Sequence, residues 1–143
     1  MPFKNTAKKQ HELRKVLNSS RDAADRLINE AKSNADLAKS YAKQIEGLAK
    51  DANRLSVDEV VKCYASKAHS AELAARRAVS MTIQAARNID STWFTPTEHL
   101  AKKHLESTKT YAGRAAYSAT VARSALQIAQ DALQNARYAA AMI

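Results

Sequence analysis

The chain has 143 residues, 30 of them alanine against two glycines and two prolines, with 23 Lys and Arg against 14 Asp and Glu for a net charge of +9. So few punctuating residues exclude a fold with many chain reversals, and alanine is the strongest helix former, so one domain of a few long helices is expected. A lone cysteine, Cys63, excludes an internal disulfide.

The positive excess is uneven. Residues 1–61 hold 12 basic and 9 acidic side chains and residues 62–143 hold 11 and 5, so an acidic partner would meet the second half first. The opening "MPFKNTAKKQHELRKV" lacks the apolar core of a secretory signal, and no window nears the ~20 apolar residues that span a bilayer. With a single thiol in the chain, the expectation is a soluble, cytoplasmic protein.

Helix 1 is expected over residues 5–54. Apolar or small residues recur there at alternating steps of three and four, from Leu13 and Leu17 through Ala24, Ala31, Ala38 and Ile45 to Leu55, with Ser20 and Asn34 as polar exceptions. "NSS" (Asn18 to Ser20) is a candidate break, because Ser and Asn compete for local backbone hydrogen bonds. A chain folded back there makes a short extra N-terminal helix and brings Phe3, Leu13, Val16 and Leu17 towards Trp93 and Phe94.

Helix 2 is expected over residues 57–90, opened by a capping box in "SVDE", where Ser56 accepts from the Glu59 amide and the Glu59 carboxylate reaches back. Its seam runs from Val57, Val61 and Tyr64 through Ala68, Ala75 and Ala85 to Ile89, with Thr82 as the exception. "STWFTPTEHLAKKH" then hands over to helix 3, expected over residues 96–142. Thr95 and Glu98 repeat the capping logic, and Pro96 sits at the first helical position, where its missing N–H costs nothing. Trp93 and Phe94 read either as an apolar plug over the bundle's end or as a partner-binding tip. The third seam runs from Ala101 and Leu105 through Ala115, Ala122, Leu126 and Leu133 to Ile143, with Thr108 as the exception.

The fold class is therefore all-α: a single bundle, residues 1–143, of three long antiparallel helices with the left-handed, coiled-coil-like packing that a seven-residue repeat implies. Alanines in all three seams predict close helix approach. Helix 2 is the shortest, roughly 50 Å at ~1.5 Å per residue, so it pairs with residues near 20–55 and 96–131. That leaves "ALQNARYAAAMI" as an overhang that no helix of the same chain covers.

A search for chemistry finds no catalytic, cofactor-binding or metal-binding constellation. His99 and His104 are five apart, not the four that puts two side chains on one helix face. Cys63 lies beside the second seam, where a thiol behaves as a small buried hydrophobe. Two glycines, Gly47 and Gly113, both on the outer side of helices, cannot build a phosphate-cradling loop. The acidic residues fall mostly at outward heptad positions. No cofactor and no small-molecule substrate are expected, and the chain is not expected to be an enzyme.

Surfaces are more informative. Apolar residues lie outside the seams at Leu73, Ile83, Tyr117, Val121 and Ile128, and the overhang adds Leu133, Ala136, Ala140 and Ile143. With Trp93 and Phe94 these form the candidate partner-binding set, because contiguous exposed apolar area marks a partner. Arg76, Arg77, Arg87, Lys102, Lys103, Lys109, Arg123 and Arg137 form a second set, either a polyanion-binding stripe or a solvated flank paired with acids on neighbouring helices. The leading expectation is a non-enzymatic scaffold or adaptor that associates with itself or with another helical protein through coiled-coil contacts. A basic nucleic-acid-binding bundle is the alternative, and an amphipathic binder of anionic lipid or granule surfaces is the third.

Overall fold

The computed structural model describes residues 2–52, 58–91 and 98–142, with side chains described over 8–52, 58–89 and 98–142. These residues form three α-helices: α1 (Pro2–Ala52), α2 (Asp58–Ser91) and α3 (Glu98–Ala141). Each packs against both others, and no strand occurs among the described residues. Asp58 and Glu59 in the first turn of α2, and Glu98 in that of α3, complement the positive end of the helix dipole. The proposed caps Ser56 and Thr95, and with them Trp93, Phe94 and Ile143, lie outside the described residues.

The heptad seams are the core. Leu17, Ser20, Ala24, Ala31, Ala38, Ile45 and Ala52 are buried along α1, and Val61, Ala68, Ala75, Thr82 and Ile89 along α2. Ala101, Thr108, Ala115, Ala122, Leu126, Ala129 and Leu133 are buried along α3. The large buried side chains sit towards the ends of the bundle, Leu17 and Ile89 at one and Ile45, Val61 and Leu133 at the other. Between them Ala31, Ala78, Ala112 and Ala115 form a cluster of alanine alone, edged by Leu27 and Val79. The seam threonines cost little, because each satisfies its hydroxyl on its own helix. Thr82 Oγ1 donates to the Ala78 carbonyl at 2.7 Å, and Thr108 Oγ1 donates to that of His104 at 2.8 Å.

Pairings along the bundle follow one order. Arg21 to Ile28 of α1 border Ile83 to Arg87 of α2, whereas Ala38 to Ala52 share a cluster with Val61 to Ala75. Ala78 clusters with Ala112 and Ala115, and Tyr64 borders the same hollow as Ile128. Glu98 stands beside Leu13 and Val16, and Asp51 beside Arg137. Residues that meet are thus numbered upward along α1 and α3 and downward along α2.

Three expectations are corrected. There is no break at Asn18 to Ser20 and no extra N-terminal helix, since α1 is continuous. Asn18 and Ser19 point to solvent, and burial of Leu17, Ser20 and Ala24 outweighs helix propensities that differ by only tenths of a kcal/mol. The overhang of α3 is shorter than length matching with α2 suggested, because α1 reaches it. Leu133 is 2% exposed within the cluster that holds Ile45 and Ala52, Ala136 is half-buried, and every residue from Arg137 to Met142 is exposed. Cys63 is exposed rather than buried, one step to the solvent side of the seam.

Candidate helix-docking groove

Between α2 and α3 the facing side chains are too small to close the surface. Ala71, Ala74, Ser66 and Ser70 of α2 face Ser118 and Val121 of α3, and they leave a hollow of about 390 Å³. A second hollow of about 350 Å³ continues it past Tyr64, Thr120, Ser124, Ala125 and Ile128. Lys67, Tyr117 and Val121 border both, so the two make one groove. Buried Ala71, Ala125 and Ser118 form its floor, and exposed Ser66, Ser70, Thr120 and Ser124 lie along its rim. Lys67 holds its ammonium 4.9 Å from the centre of the Tyr64 ring, a cation–π contact that keeps the charge at the groove's edge.

Three residues of the expected partner-binding set meet here. Tyr117 is 71% exposed and Ile128 44% exposed, while Val121 is half-buried between them. Val60, also exposed, lies one turn before Tyr64 on α2. The others are dispersed. Leu73 is exposed on the outer side of α2. Ile83 is half-buried in a separate cavity of about 500 Å³ between α1 and α2, with Arg21, Asp25, Ile28 and Arg87. Leu133 belongs to the core, Ala136 is half-buried, and Ala140 is exposed on the last turn beside Met142, which is 88% exposed. Trp93, Phe94 and Ile143 lie outside the described residues.

The basic set divides in two. Arg76 Nη2 donates to Glu72 at 2.6 Å, Lys102 Nζ lies 3.0 Å from Glu98, Lys109 Nζ 3.1 Å from Glu106, and Arg137 Nη2 3.8 Å from Asp51. Three of these four partners lie three or four residues away on the same helix, so the flank neutralises itself locally more than across helices. Arg77, Arg87, Lys103 and Arg123 are exposed and form no ion pair with a described residue. Glu72 is the exception among acids that otherwise lie mostly outward. It is 7% exposed, its carboxylate held by Arg76 and standing 3.6 Å from His69 Nδ1.

Among the described residues no group of three or more His, Cys, Asp or Glu is placed to hold a metal ion. No described helix is long and apolar enough to cross a membrane. On the α2 side of the groove the sequence shows Val60 and Ala74 as apolar residues beyond the seam, but not the complete row. Val60, Tyr64, Lys67, Ala71 and Ala74 repeat at steps of three and four, but Tyr64 and Ala71 also serve the core seam, which masks the second row. No protein-family model, curated protein or solved structure matches the chain.

Proposed function

We propose that the protein is a non-enzymatic helical scaffold or adaptor that works by taking a further helix, from a second copy or from another helical protein, into the groove between α2 and α3. The observation that carries this reading is the line of Tyr117, Val121 and Ile128 along an open groove walled by small residues. A helix presents side chains at the same three- and four-residue steps, so its ridge fits such a groove, and the small residues on both walls allow close approach. Burial contributes about 25 cal/mol per Å² of apolar surface, partly offset by the entropy of association. The surface thiol of Cys63 suits a reducing compartment such as the cytoplasm.

The test compares the wild-type chain with Ile128→Glu for two readouts, mass in solution and protein retained from native lysate. The reading expects either a self-associated wild type or a retained helical protein, each lost on substitution. A monomeric wild type that retains nothing overturns it.

A second reading, polyanion binding, rests on the four exposed cations Arg77, Arg87, Lys103 and Arg123. Binding of duplex nucleic acid that falls steeply between low and moderate salt, and weakens in Arg77→Glu and Lys103→Glu, would support it. Affinity indifferent to both substitutions would dismiss it.

A further inference from the structure

We infer that the helix taken into the groove comes from a different protein and is acidic: an amphipathic helix whose apolar ridge is flanked by carboxylates. This deepens the helix-docking reading and rests on it. Among the described residues that line the two hollows, Lys67 is the one that carries charge, and it borders both. Two further cations stand past the Ala74 end. Arg77 continues the steps of Lys67, Ser70 and Ala74 along α2, and Arg114 lies about one turn before Tyr117 on α3. Ala78 clusters with Ala115, which sets their neighbours Arg77 and Arg114 at one level of the bundle.

All three cations are exposed, and none has an ion pair with a described residue. Lys67 and Arg114 lie over the Tyr64 and Tyr111 rings, at 4.9 and 5.0 Å, contacts that leave each charge open to an anion. The acid on this stretch of α2, Glu72, is turned inward and held by Arg76. Glu59 and Asp131 stand at the opposite end, past Val60 and Ile128, and Asp131 accepts a 3.2 Å bond from Gln127. The field over the groove itself is therefore positive, and carboxylates on an entering helix gain from it.

The chain's own segments do not supply such a helix. The start of α1 projects beyond α3, since Glu98 stands beside Leu13 and Val16, and it carries Lys4, Lys8 and Lys9 against Glu12. The end of α3 carries Arg137 and no acid after Asp131. A second copy cannot seat its α3 in the groove across a twofold axis, because that axis carries both α2 helices to one side, into the same space. The net charge of +9 adds repulsion between copies.

Spacing defines the ridge. Ser118 and Ala125, the buried α3 floor of the two hollows, are seven residues apart, so a helix laid alongside α3 fills both with large apolar side chains one heptad apart. At about 30 Å³ per water, volumes of 390 and 350 Å³ hold a side chain and not merely one solvent molecule. Lys67 and Arg77 are ten residues apart, roughly 15 Å of helical rise, so carboxylates about three turns apart on one flank of the occupant meet both.

Three fluorescent peptides of about three heptads, alike in a leucine ridge and flanked by Glu, Gln or Lys, test this against the full chain by anisotropy. The Glu-flanked peptide is expected to bind about tenfold tighter than the Gln-flanked one, as three exposed ion pairs together would give, and the Lys-flanked one weakest. Lys67→Glu with Arg77→Glu should reverse that order. Arg87→Glu with Arg123→Glu makes the same change in net charge elsewhere and should preserve it: Arg87 borders the α1–α2 cavity, and Arg123 lies two heptads before Arg137, which pairs with Asp51 of α1. Ile128→Glu should abolish binding of the Glu-flanked peptide, with dichroism confirming unchanged helix content in every variant. Binding that ignores flank charge yet is lost in Ile128→Glu overturns the acidic partner while leaving helix docking in place. Equal responses of the two double variants reduce the preference to net charge and overturn it as well. A wild type that dimerises through Ile128 makes a second copy the occupant instead. Duplex nucleic acid bound through Lys67 and Arg77, with no peptide bound, assigns the cations to a polyanion. Failure of every peptide overturns the acidic helix, and a monomeric chain that also retains no protein from lysate overturns docking itself.

Discussion

Arg76 and Arg77 are adjacent in the chain and opposite in consequence. The Arg76 guanidinium is tied at 2.6 Å to Glu72, whose carboxylate is nearly buried, whereas Arg77 is exposed without a described ion partner. Removing Arg76 leaves a buried carboxylate short of a donor. The arginine itself is more than half exposed, so solvent tempers the effect. Arg76→Ala is expected to cost about 1 kcal/mol and Arg77→Ala less than about 0.5 kcal/mol, read from urea denaturation. Equal effects would mean that the pair does not hold Glu72 in place.

Helices built on alanine seams respond to bulk and to backbone freedom in opposite ways. Ala115 is fully buried in the all-alanine cluster, where an added isobutyl group has nowhere to go, so Ala115→Leu should destabilise by about 1–3 kcal/mol. Gly47 sits mid-helix with nothing within 4 Å of where a Cβ would stand. Gly47→Ala should therefore stabilise by about 1 kcal/mol, by restricting the unfolded chain and restoring helix propensity. Thermal denaturation of the two variants checks both signs. The end of α3 gives a further contrast. Leu133→Ala opens a cavity beneath Ile45 and Ala52 and should cost about 2–5 kcal/mol, while Ala140→Glu, beyond the reach of α1, should change monomer stability by less than about 0.5 kcal/mol.

Both core clusters draw on all three helices, so no pair of helices keeps its own core when the third leaves. Unfolding is therefore expected to be a single cooperative transition, with equal calorimetric and van't Hoff enthalpies and coincident helix and heat signals. Two separated transitions would show that the alanine cluster divides the bundle into independent halves. The fold is also thin: seventeen of the twenty-three buried apolar residues among those described are alanines. Each alanine buries little area, so stability must come from many close approaches along long helices, and burying another face adds a relatively large increment.

Periodicity alone determined the three helices and nearly every seam position, because a long helix must bury one stripe and a stripe at steps of three and four is visible in the letters. Leu17, Ile45, Val61, Ile89, Ala115 and Leu126 needed no neighbour to be assigned inward. Local signals decided less than they promised: "NSS" favours a break, yet the helix runs through it because its flanking seam residues are buried by other helices. Which surfaces stay open depended on axial register, which no single helix encodes. Only packing showed that α1 covers Leu133, that Glu72 turns inward, and that Lys67 and Tyr117 border one groove. The reason is physical: a heptad gives the direction of a side chain around its own axis, while the depth to which a neighbouring helix covers it is set by how three helices of unequal length slide and stop against one another.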